Sequence, residues 1–217
     1  PTQVPVLIIG AGACGTIAAL AANERGVEVL ILERDAKPSG NTALSGGQIP
    51  AAGTKLQRAA GLMDDTPELL YQDILAKSHG ECDREIARHI AHEAAKTVEW
   101  LVDRYQLPLS CVLDFQYPGH SRPHMHASPS RYGLELLTVL VAAVEGHGIP
   151  IAASAHVTDL FADATGRILG VRVLSQALEN TLYTFAAALT VYLLGTALGA
   201  AVYQRLRDTK PFRVLLA

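Results

Sequence analysis

The chain has 217 residues, of which 49% are hydrophobic and 18% are charged, and a formal net charge of −3. This composition excludes a disordered or low-complexity protein, and the weakly acidic charge excludes the basic surface that a nucleic-acid partner requires. Three widely spaced cysteines exclude a disulfide framework and a paired-cysteine metal site, so we expect a reducing compartment, the cytoplasm.

The first 33 residues predict a βαβ unit. An apolar run over Val4–Ile9 is followed by a glycine-rich turn, by small apolar residues at helical spacing and by a second apolar run, Val27–Leu32. A strand, a helix and a strand within about 30 residues imply a parallel sheet covered by helices. We therefore predict an α/β fold.

The turn itself has the GxGxxG spacing of a dinucleotide-binding site, in Gly10-Ala11-Gly12-Ala13-Cys14-Gly15. In such a turn Gly10 permits the tight bend, Gly12 lets the backbone approach a pyrophosphate, and Gly15 lets the helix pack on the strand. The helix N-terminus offers N–H groups to the phosphates, and Glu33 can accept hydrogen bonds from both ribose hydroxyls, which disfavours NADP. A βαβ unit without a ligand is the alternative.

Further elements follow a polar, glycine-rich loop over Pro38–Gly53. Thr66 precedes Pro67 and is placed to cap a helix, and a third helix is predicted over Leu134–Val144. Between them, an apolar stripe predicts a helix from Asp83 to about Tyr105, with His89 and His92 on its solvent side; the stripe consists of Ile86, Ile90, Ala94, Val98 and Leu101. Residues 107–129 are predicted to be irregular, and strands are predicted over 149–153, 156–162 and 167–174.

Segment Gly40–Gly53 resembles the second cofactor loop of the fumarate reductase/succinate dehydrogenase flavoprotein family, in its soluble branch with the 3-ketosteroid dehydrogenases. Segments Gly119–His126 and Ile149–Val173 support the resemblance, which covers about residues 4–174. It implies a Rossmann-like FAD-binding domain over residues 1–174, incomplete because members of the family complete the sheet after an inserted cap domain. The implied cofactor is FAD, held noncovalently, because Asn41 stands where members with covalent flavin carry a histidine.

The resemblance also implies site residues. Besides the turn and Glu33, the residues matched to FAD contacts are Arg34, Asn41, Thr42, Ser45, Gly46, Gly47 and Val157, the last through its backbone to the adenine. His126 is expected to face a substrate carboxylate or carbonyl oxygen and Arg122 to pair with a carboxylate, with a structural or surface role as the alternative. A metal site at His120, His124 and His126 is not expected, because no cysteine or carboxylate accompanies them closely.

The reaction that the resemblance implies is hydride transfer between flavin N5 and a carbon–carbon bond beside a carbonyl or carboxylate. The substrate would be a small molecule, either a dicarboxylate or an enone or steroid-like compound. The proton-donating arginine of the fumarate reductases has no counterpart here, so we expect an FAD-binding fragment with little or no turnover. A non-catalytic truncated or fused nucleotide-binding protein and an NAD-binding Rossmann protein are the alternatives.

The C-terminal part, residues 175–217, has a different character. Residues 181–204 carry no charge and are long and apolar enough for a membrane-spanning helix, and basic residues follow them. Residues 178–207 resemble a membrane span of spermidine-synthase-like proteins. We therefore expect a C-terminal hydrophobic helix that associates the protein with a membrane. A divergent strand and turn of the flavoprotein, or an artefact of the gene model, are the alternatives.

Overall fold

The structure is a computed structural model that describes residues 3–175. Its helices and strands are, in chain order, β1 (Val6–Ile9), α1 (Ala13–Asn23), β2 (Val29–Leu32), α2 (Gly40–Leu44), β3 (Gln48–Pro50), α3 (Lys55–Ala59), α4 (Pro67–Lys77), α5 (Arg84–Tyr105), β4 (Ser110–Cys111), β5 (Met125–Ala127), α6 (Gly133–Gly146), β6 (Ile151–Ala152), β7 (Ala155–Ala162) and β8 (Ile168–Ser175). The chain divides into two units, and the first, which ends at Val173, holds every element up to β7.

The predicted C-terminal hydrophobic helix lies outside the described residues. Within residues 3–175, no helix is both long enough and apolar enough to cross a membrane. The division of the chain into a domain over 1–174 and a tail over 175–217 stays a prediction.

The predicted βαβ unit is present and is the centre of a parallel sheet. Strand β2 lies between β1 and β6, with Val6 opposite Val29 and Ile31 opposite Ile151. Helices α1 and α6 pack against each other, and their apolar side chains join those of β2 and α5 in one core. The buried members of this core include Ala19, Leu20, Val29, Ile31, Val98, Leu101, Leu136, Leu140 and Val144. The α/β prediction is therefore confirmed for this part of the chain.

A second, antiparallel sheet forms where the sequence suggested irregular structure. Strand β5 pairs with β3 on one side and with β4 on the other, so that His126 lies opposite both Ile49 and Cys111. These strands are only two or three residues long, which is too short for a period-two pattern to be visible in the sequence. The sheet brings the end of the cofactor loop next to residues about 77 positions later in the chain.

Local signals placed the helix ends correctly. The Thr66 hydroxyl accepts a hydrogen bond from the N–H of Leu69 at the start of α4, and Asp83 Oδ1 accepts two from the first turn of α5. Each is a contact between residues two or three positions apart, so the sequence alone specifies it. The predicted solvent positions of His89 and His92 are confirmed, since both side chains are exposed.

The predicted apolar stripe of α5 is wrong in the first half of the helix. Ile86 and Ile90 are 59% and 50% exposed, and Ala87 and Ala91 are buried in their place. The alanines pack against Leu70 and other residues of a small core beside α4. Small side chains let two helices approach closely, so here the closeness of α4 and not side-chain hydrophobicity decides which face is buried.

This correction predicts effects of different size on stability at neighbouring positions. Ile90→Ala should change the free energy of unfolding by less than about 1 kcal/mol, because the side chain is half-exposed. Ala91→Leu should lower it by about 1–3 kcal/mol, because the larger side chain has no room between α4 and α5. Urea denaturation measures both, with Ala142→Leu on the exposed side of α6 as the control; a larger loss in Ile90→Ala than in Ala91→Leu would restore the original stripe.

Candidate functional site

One open groove of about 480 Å³ lies at the carboxyl ends of β1 and β2. This edge is where ligands bind in parallel α/β sheets, because the loops and helix N-termini converge there. Ten of the predicted cofactor residues line the groove, namely Gly10, Gly12, Ala13, Cys14, Gly15, Glu33, Arg34, Asn41, Thr42 and Val157. Ala11 is fully buried behind them.

The glycines of the turn are required by backbone geometry. Gly10 has a φ of +98°, in the region that favours glycine. A Cβ on Gly15 would lie 1.9 Å from the carbonyl oxygen of Gly10, so no side chain fits between α1 and the turn. These are the roles that the GxGxxG spacing predicted for the two residues.

Glu33 holds the turn as well as facing the groove. Its Oε2 accepts the N–H of Ala11 at 2.8 Å, and its Oε1 accepts the N–H of Asp35 at 2.9 Å. The side chain is nearly buried, yet it lines the groove, and each carboxylate oxygen keeps a lone pair for a further donor. The predicted contact with ribose hydroxyls is thus compatible with a structural role that the sequence did not indicate.

The two glycine-rich segments meet directly. Thr42 Oγ1 accepts the N–H of Ala13, the first residue of α1, at 3.0 Å. Gly12 makes this approach possible, because a Cβ there would already lie 3.3 Å from the same hydroxyl. The loop that begins at Gly40 therefore forms one wall of the groove, and the turn forms the other.

The N-terminus of α1 keeps donors for an anion. Among the described residues, no acceptor is found for the N–H groups of Cys14 and Gly15, whereas Thr42 occupies that of Ala13. Free amides at a helix N-terminus bind phosphate, helped by the helix dipole. The residues present thus fit the pyrophosphate of a dinucleotide.

The second loop is locked to the start of α6. Ser45 Oγ donates to the carbonyl of Thr42 at 2.8 Å and accepts the N–H of Gly47 at 3.1 Å, while the Ser45 carbonyl accepts the N–H of Gly133 at 2.8 Å. A Cβ on Gly133 would lie 1.7 Å from the Thr42 carbonyl oxygen. The sequence gives no sign of this requirement, because Gly133 looks like an ordinary residue at the start of a helix.

Ser45, Gly46 and Gly47 do not line the groove. Ser45 and Gly47 instead line an adjoining cavity of about 320 Å³, which shares Ala13, Asn41 and Thr42 with the groove. Ser45 and Gly46 are exposed. Their predicted contacts with FAD stay predictions.

Val157 reaches the groove because β7 starts beside the end of β2. The N–H of Ala155 donates to the Glu33 carbonyl at 2.8 Å, and the N–H of Ser154 donates to that of Asp35 at 3.0 Å. Arg34, also at the groove, donates from Nε to Asp35 Oδ1 at 3.1 Å. The structure thus groups these predicted residues at the Glu33 end.

The two predicted substrate-side residues do not line the groove. His126 is fully buried; its Nδ1 donates to the His124 carbonyl at 3.0 Å, and its Nε2 lies 2.8 Å from the Thr54 hydroxyl. Burial lowers the pKa of His126, so the ring is neutral and Thr54 donates to Nε2. Arg122 donates from Nε and Nη2 to Asp64 Oδ2, at 3.1 and 2.8 Å. The substrate roles stay predictions, and the burial of His126 counts against its role.

A group of three or more His, Cys, Asp or Glu side chains that could hold a metal ion is not found within residues 3–175. His124 lies between two aspartates, and the rings of His120 and His124 are 5.1 Å apart, centre to centre. The sequence reasoning missed these aspartates, Asp65 and Asp73, because they are 59 and 51 residues from His124.

Comparison with known proteins identifies the family of the chain. Residues 5–214 match the sequence model of the FAD binding domain family. The chain belongs to this family. FAD is therefore the cofactor of the chain, and the resemblance to the FAD-dependent fumarate reductase/succinate dehydrogenase flavoproteins is confirmed.

Two curated relatives illustrate the match. NADH:fumarate oxidoreductase of Klebsiella pneumoniae is 28% identical over 179 residues, which are 82% of this chain and 19% of that protein. Urocanate reductase of Eggerthella lenta is 27% identical over 207 residues, 95% of this chain and 34% of that protein. The chain thus spans between about a fifth and a third of the length of these relatives.

Two solved structures have a similar fold and agree with the family match. The open conformation of a flavocytochrome c3 fumarate reductase has a TM-score of 0.71 at 25% identity, over 81% of this chain and 31% of that chain. The 3-ketosteroid-Δ4-(5α)-dehydrogenase of Rhodococcus jostii RHA1 has a TM-score of 0.66 at 26% identity, over 79% of this chain and 42% of that chain.

The family match also bears on the C-terminal residues. It extends to residue 214 and so includes residues 181–204, the segment predicted to span a membrane. This extent favours the alternative interpretation, in which the segment is part of the flavoprotein's own chain.

The contact between the two walls predicts an effect on cofactor affinity. Thr42→Val keeps the shape of the side chain but removes the acceptor for the N–H of Ala13, so the FAD dissociation constant should rise about three- to tenfold. Titration by quenching of flavin fluorescence measures it. Thr138→Val, on the exposed face of α6, removes a hydroxyl that bonds only to its own helix and should leave the affinity unchanged; equal affinities in all three proteins would contradict the role of Thr42.

The lock between the loop and α6 predicts a loss of stability. Gly133→Ala should lower the free energy of unfolding by about 3 kcal/mol, because the new Cβ overlaps the Thr42 carbonyl and the loop must move. Gly146→Ala, at the other end of α6, meets no atom within 4 Å and serves as the control. Urea denaturation compares the two variants. Similar midpoints would contradict the prediction, because they would show that the loop moves away from α6 without a loss of stability.

Proposed function

We propose that this chain holds FAD noncovalently, with the adenosine and pyrophosphate part in the groove between the turn at Gly10–Gly15 and the loop that begins at Gly40. The observation that carries the proposal is the hydrogen bond between Thr42 Oγ1 and the N–H of Ala13, which joins both segments around one cleft. A nicotinamide dinucleotide needs only the first segment. A second wall is what a larger dinucleotide uses.

Each part of the cofactor has a matching group of the chain. Glu33 accepts hydrogen bonds from the ribose hydroxyls with the lone pairs that Ala11 and Asp35 leave free. The N–H groups of Cys14 and Gly15 bind the pyrophosphate. The backbone of Val157 bonds to the adenine, which places the adenine at the Glu33 end and the flavin at the end toward Thr42 and Ser45.

The noncovalent attachment rests on Asn41. Its side chain is exposed at the groove, and an amide is not a nucleophile that attaches to a flavin ring. Ser45, Gly46 and Gly47 follow it toward the flavin end, where the backbone N–H groups of a glycine-rich loop can reach the ring.

We further propose that the protein is an oxidoreductase acting on a carbon–carbon bond beside a carbonyl or carboxylate, with FAD supplying the hydride exchange at N5. Support comes from the relatives, which include reductases named for fumarate, urocanate, acrylate and digoxin. The first three compounds share a double bond conjugated to a carboxylate. In this chain, the contacts of Arg122 with Asp64 and the Ser121 carbonyl leave two of its five N–H groups for such a carboxylate. His126 could bind one only by releasing Thr54.

FAD binding is tested by fluorescence titration of the purified chain with FAD and with NADH. We expect FAD to bind and acid precipitation to release it into the supernatant, because no covalent bond holds it. Ser45→Trp should abolish FAD binding because the indole fills the flavin end of the loop, while Ser110→Trp, exposed on β4, should not. A chain that binds NADH but not FAD, or flavin that precipitates with the protein, would contradict the proposal.

A further inference from the structure

His124 is a fully buried histidine whose two ring nitrogens both contact carboxylates. Nδ1 lies 2.8 Å from Asp65 Oδ2, and Nε2 lies 2.8 Å from Asp73 Oδ2. The Asp65 side chain is 1% exposed and that of Asp73 is 14% exposed. Neither the cofactor groove nor the proposed reaction uses this cluster.

The geometry restricts the protonation of the cluster. An ionised carboxylate only accepts hydrogen bonds, and a neutral imidazole has a single N–H, so two contacts with carboxylates need either an imidazolium or a protonated aspartate. Asp73 Oδ2 also accepts the N–H and the hydroxyl of Ser121, at 2.6 and 3.0 Å. Asp65 Oδ2 also accepts from Gln57 Nε2. These acceptor contacts favour two ionised aspartates and a ring that donates from both nitrogens, while the buried Oδ1 of Asp65 has no hydrogen-bond partner among the described residues.

The electrostatics agree with this assignment. Burial opposes a charge on the ring, but the hydrogen bonds to Asp65 and Asp73 outweigh it and raise the pKa of His124. Burial likewise opposes a charge on Asp73, but the hydrogen bonds from Ser121 and His124 lower the pKa of that carboxyl. Burial lowers the pKa of the neighbouring His120, so the positive charge lies on His124.

We propose that His124 is a buried imidazolium that positions strand β5 and, through β3, the FAD-binding loop. The His124 carbonyl accepts the N–H of Ala51 at 2.9 Å and Nδ1–H of His126 at 3.0 Å. Strand β5 begins at the next residue and pairs with β3, which follows Gly47 directly. The ring anchors this backbone to α4 through Asp73 and to the segment before α4 through Asp65. The positioning role rests on the proposed binding of FAD.

Titratable groups from each packed element lie around the cluster of His124, its two aspartates and His120. They are Asp65 from the segment before α4, Asp73 and Lys77 from α4, Cys111 from β4, His120 from the loop before β5, and His126 from β5. Since the pKa of His124 is raised, its stabilisation is complete below the ordinary histidine value of about 6.5 and is lost as the pH rises through the raised value. Since the pKa of Asp73 is lowered, the stabilisation from Asp73 is lost only as the pH falls through that lowered value. The cluster therefore holds the strand best at a pH between the pKa of Asp73 and the pKa of His124.

Protonation of the ring is tested directly by ¹H–¹⁵N NMR of the chain with labelled histidine. We expect both ring nitrogens of His124 to carry protons at a pH above the ordinary histidine pKa of about 6.5. Asp73→Asn should lower the pH at which the His124 ring titrates. A His124 ring with one proton across the whole range would overturn the proposal, and this readout needs no FAD.

The positioning role is tested by the pH dependence of the FAD dissociation constant. In the wild type the FAD dissociation constant should rise about fivefold as the pH rises through the titration of His124. A fivefold change is the lower end of the usual coupling between linked sites. Asp73→Asn should shift this rise to lower pH together with the NMR titration, and His120→Gln, the control, should leave it in place. A profile that does not follow the His124 titration would overturn the positioning role. Failure of the wild type to bind FAD at any pH would overturn the proposed function and the positioning role, while the NMR result would still decide the charge of the ring.

Discussion

The contact between the N-terminus of α1 and the loop after Ser39 is the constraint on which the rest of the site depends. Thr42 provides the cap that α1 lacks, since its N-cap residue is Gly12 and has no side chain to offer. The absence of a side chain at Gly12 is also what lets the loop approach. Gly12 thus supplies no side-chain cap but leaves room for the hydroxyl of Thr42. Because an uncapped helix N-terminus is unfavourable, this hydrogen bond holds the two segments together.

Glycine acts in the same way at the far side of the loop. A Cβ on Gly47 would overlap the backbone of Tyr132 and Gly133, and a Cβ on Gly133 would overlap the carbonyl of Thr42. The loop therefore lies between two helix N-termini, those of α1 and α6, and touches both through backbone and hydroxyl groups. Such contacts are short and directional, which suits the proposed role of the loop in presenting N–H groups to FAD in a defined position.

In the second sheet, hydrogen bonds of buried polar side chains provide stabilisation that hydrophobic packing provides in the parallel sheet. The short strands of the second sheet bury too little apolar surface to be held by packing alone, and fully buried His124 and His126 lie among them. A buried polar group is tolerated only when its hydrogen bonds are made, so each ring fixes the groups that satisfy it. His126 uses Thr54 and a backbone carbonyl, and His124 uses two aspartates, which links the sheet to α3 and α4.

The sequence by itself determined the βαβ unit, the turn over Gly10–Gly15, the acid at Glu33, the cap at Thr66, the bounds of α5 and the family of the chain. All of these depend on residues that are close together in the chain, where spacing and backbone preference decide the outcome. Only the tertiary structure decided that Ile90 is exposed, that Gly133 admits the loop, and that His124 lies between two carboxylates. These depend on which distant segments approach each other, and the apolar or polar nature of one residue does not specify its neighbours more than 50 positions away. For the same reason the sequence did not show that both ring nitrogens of His126, which was expected to face substrate, form hydrogen bonds inside the protein, with Thr54 and the His124 carbonyl.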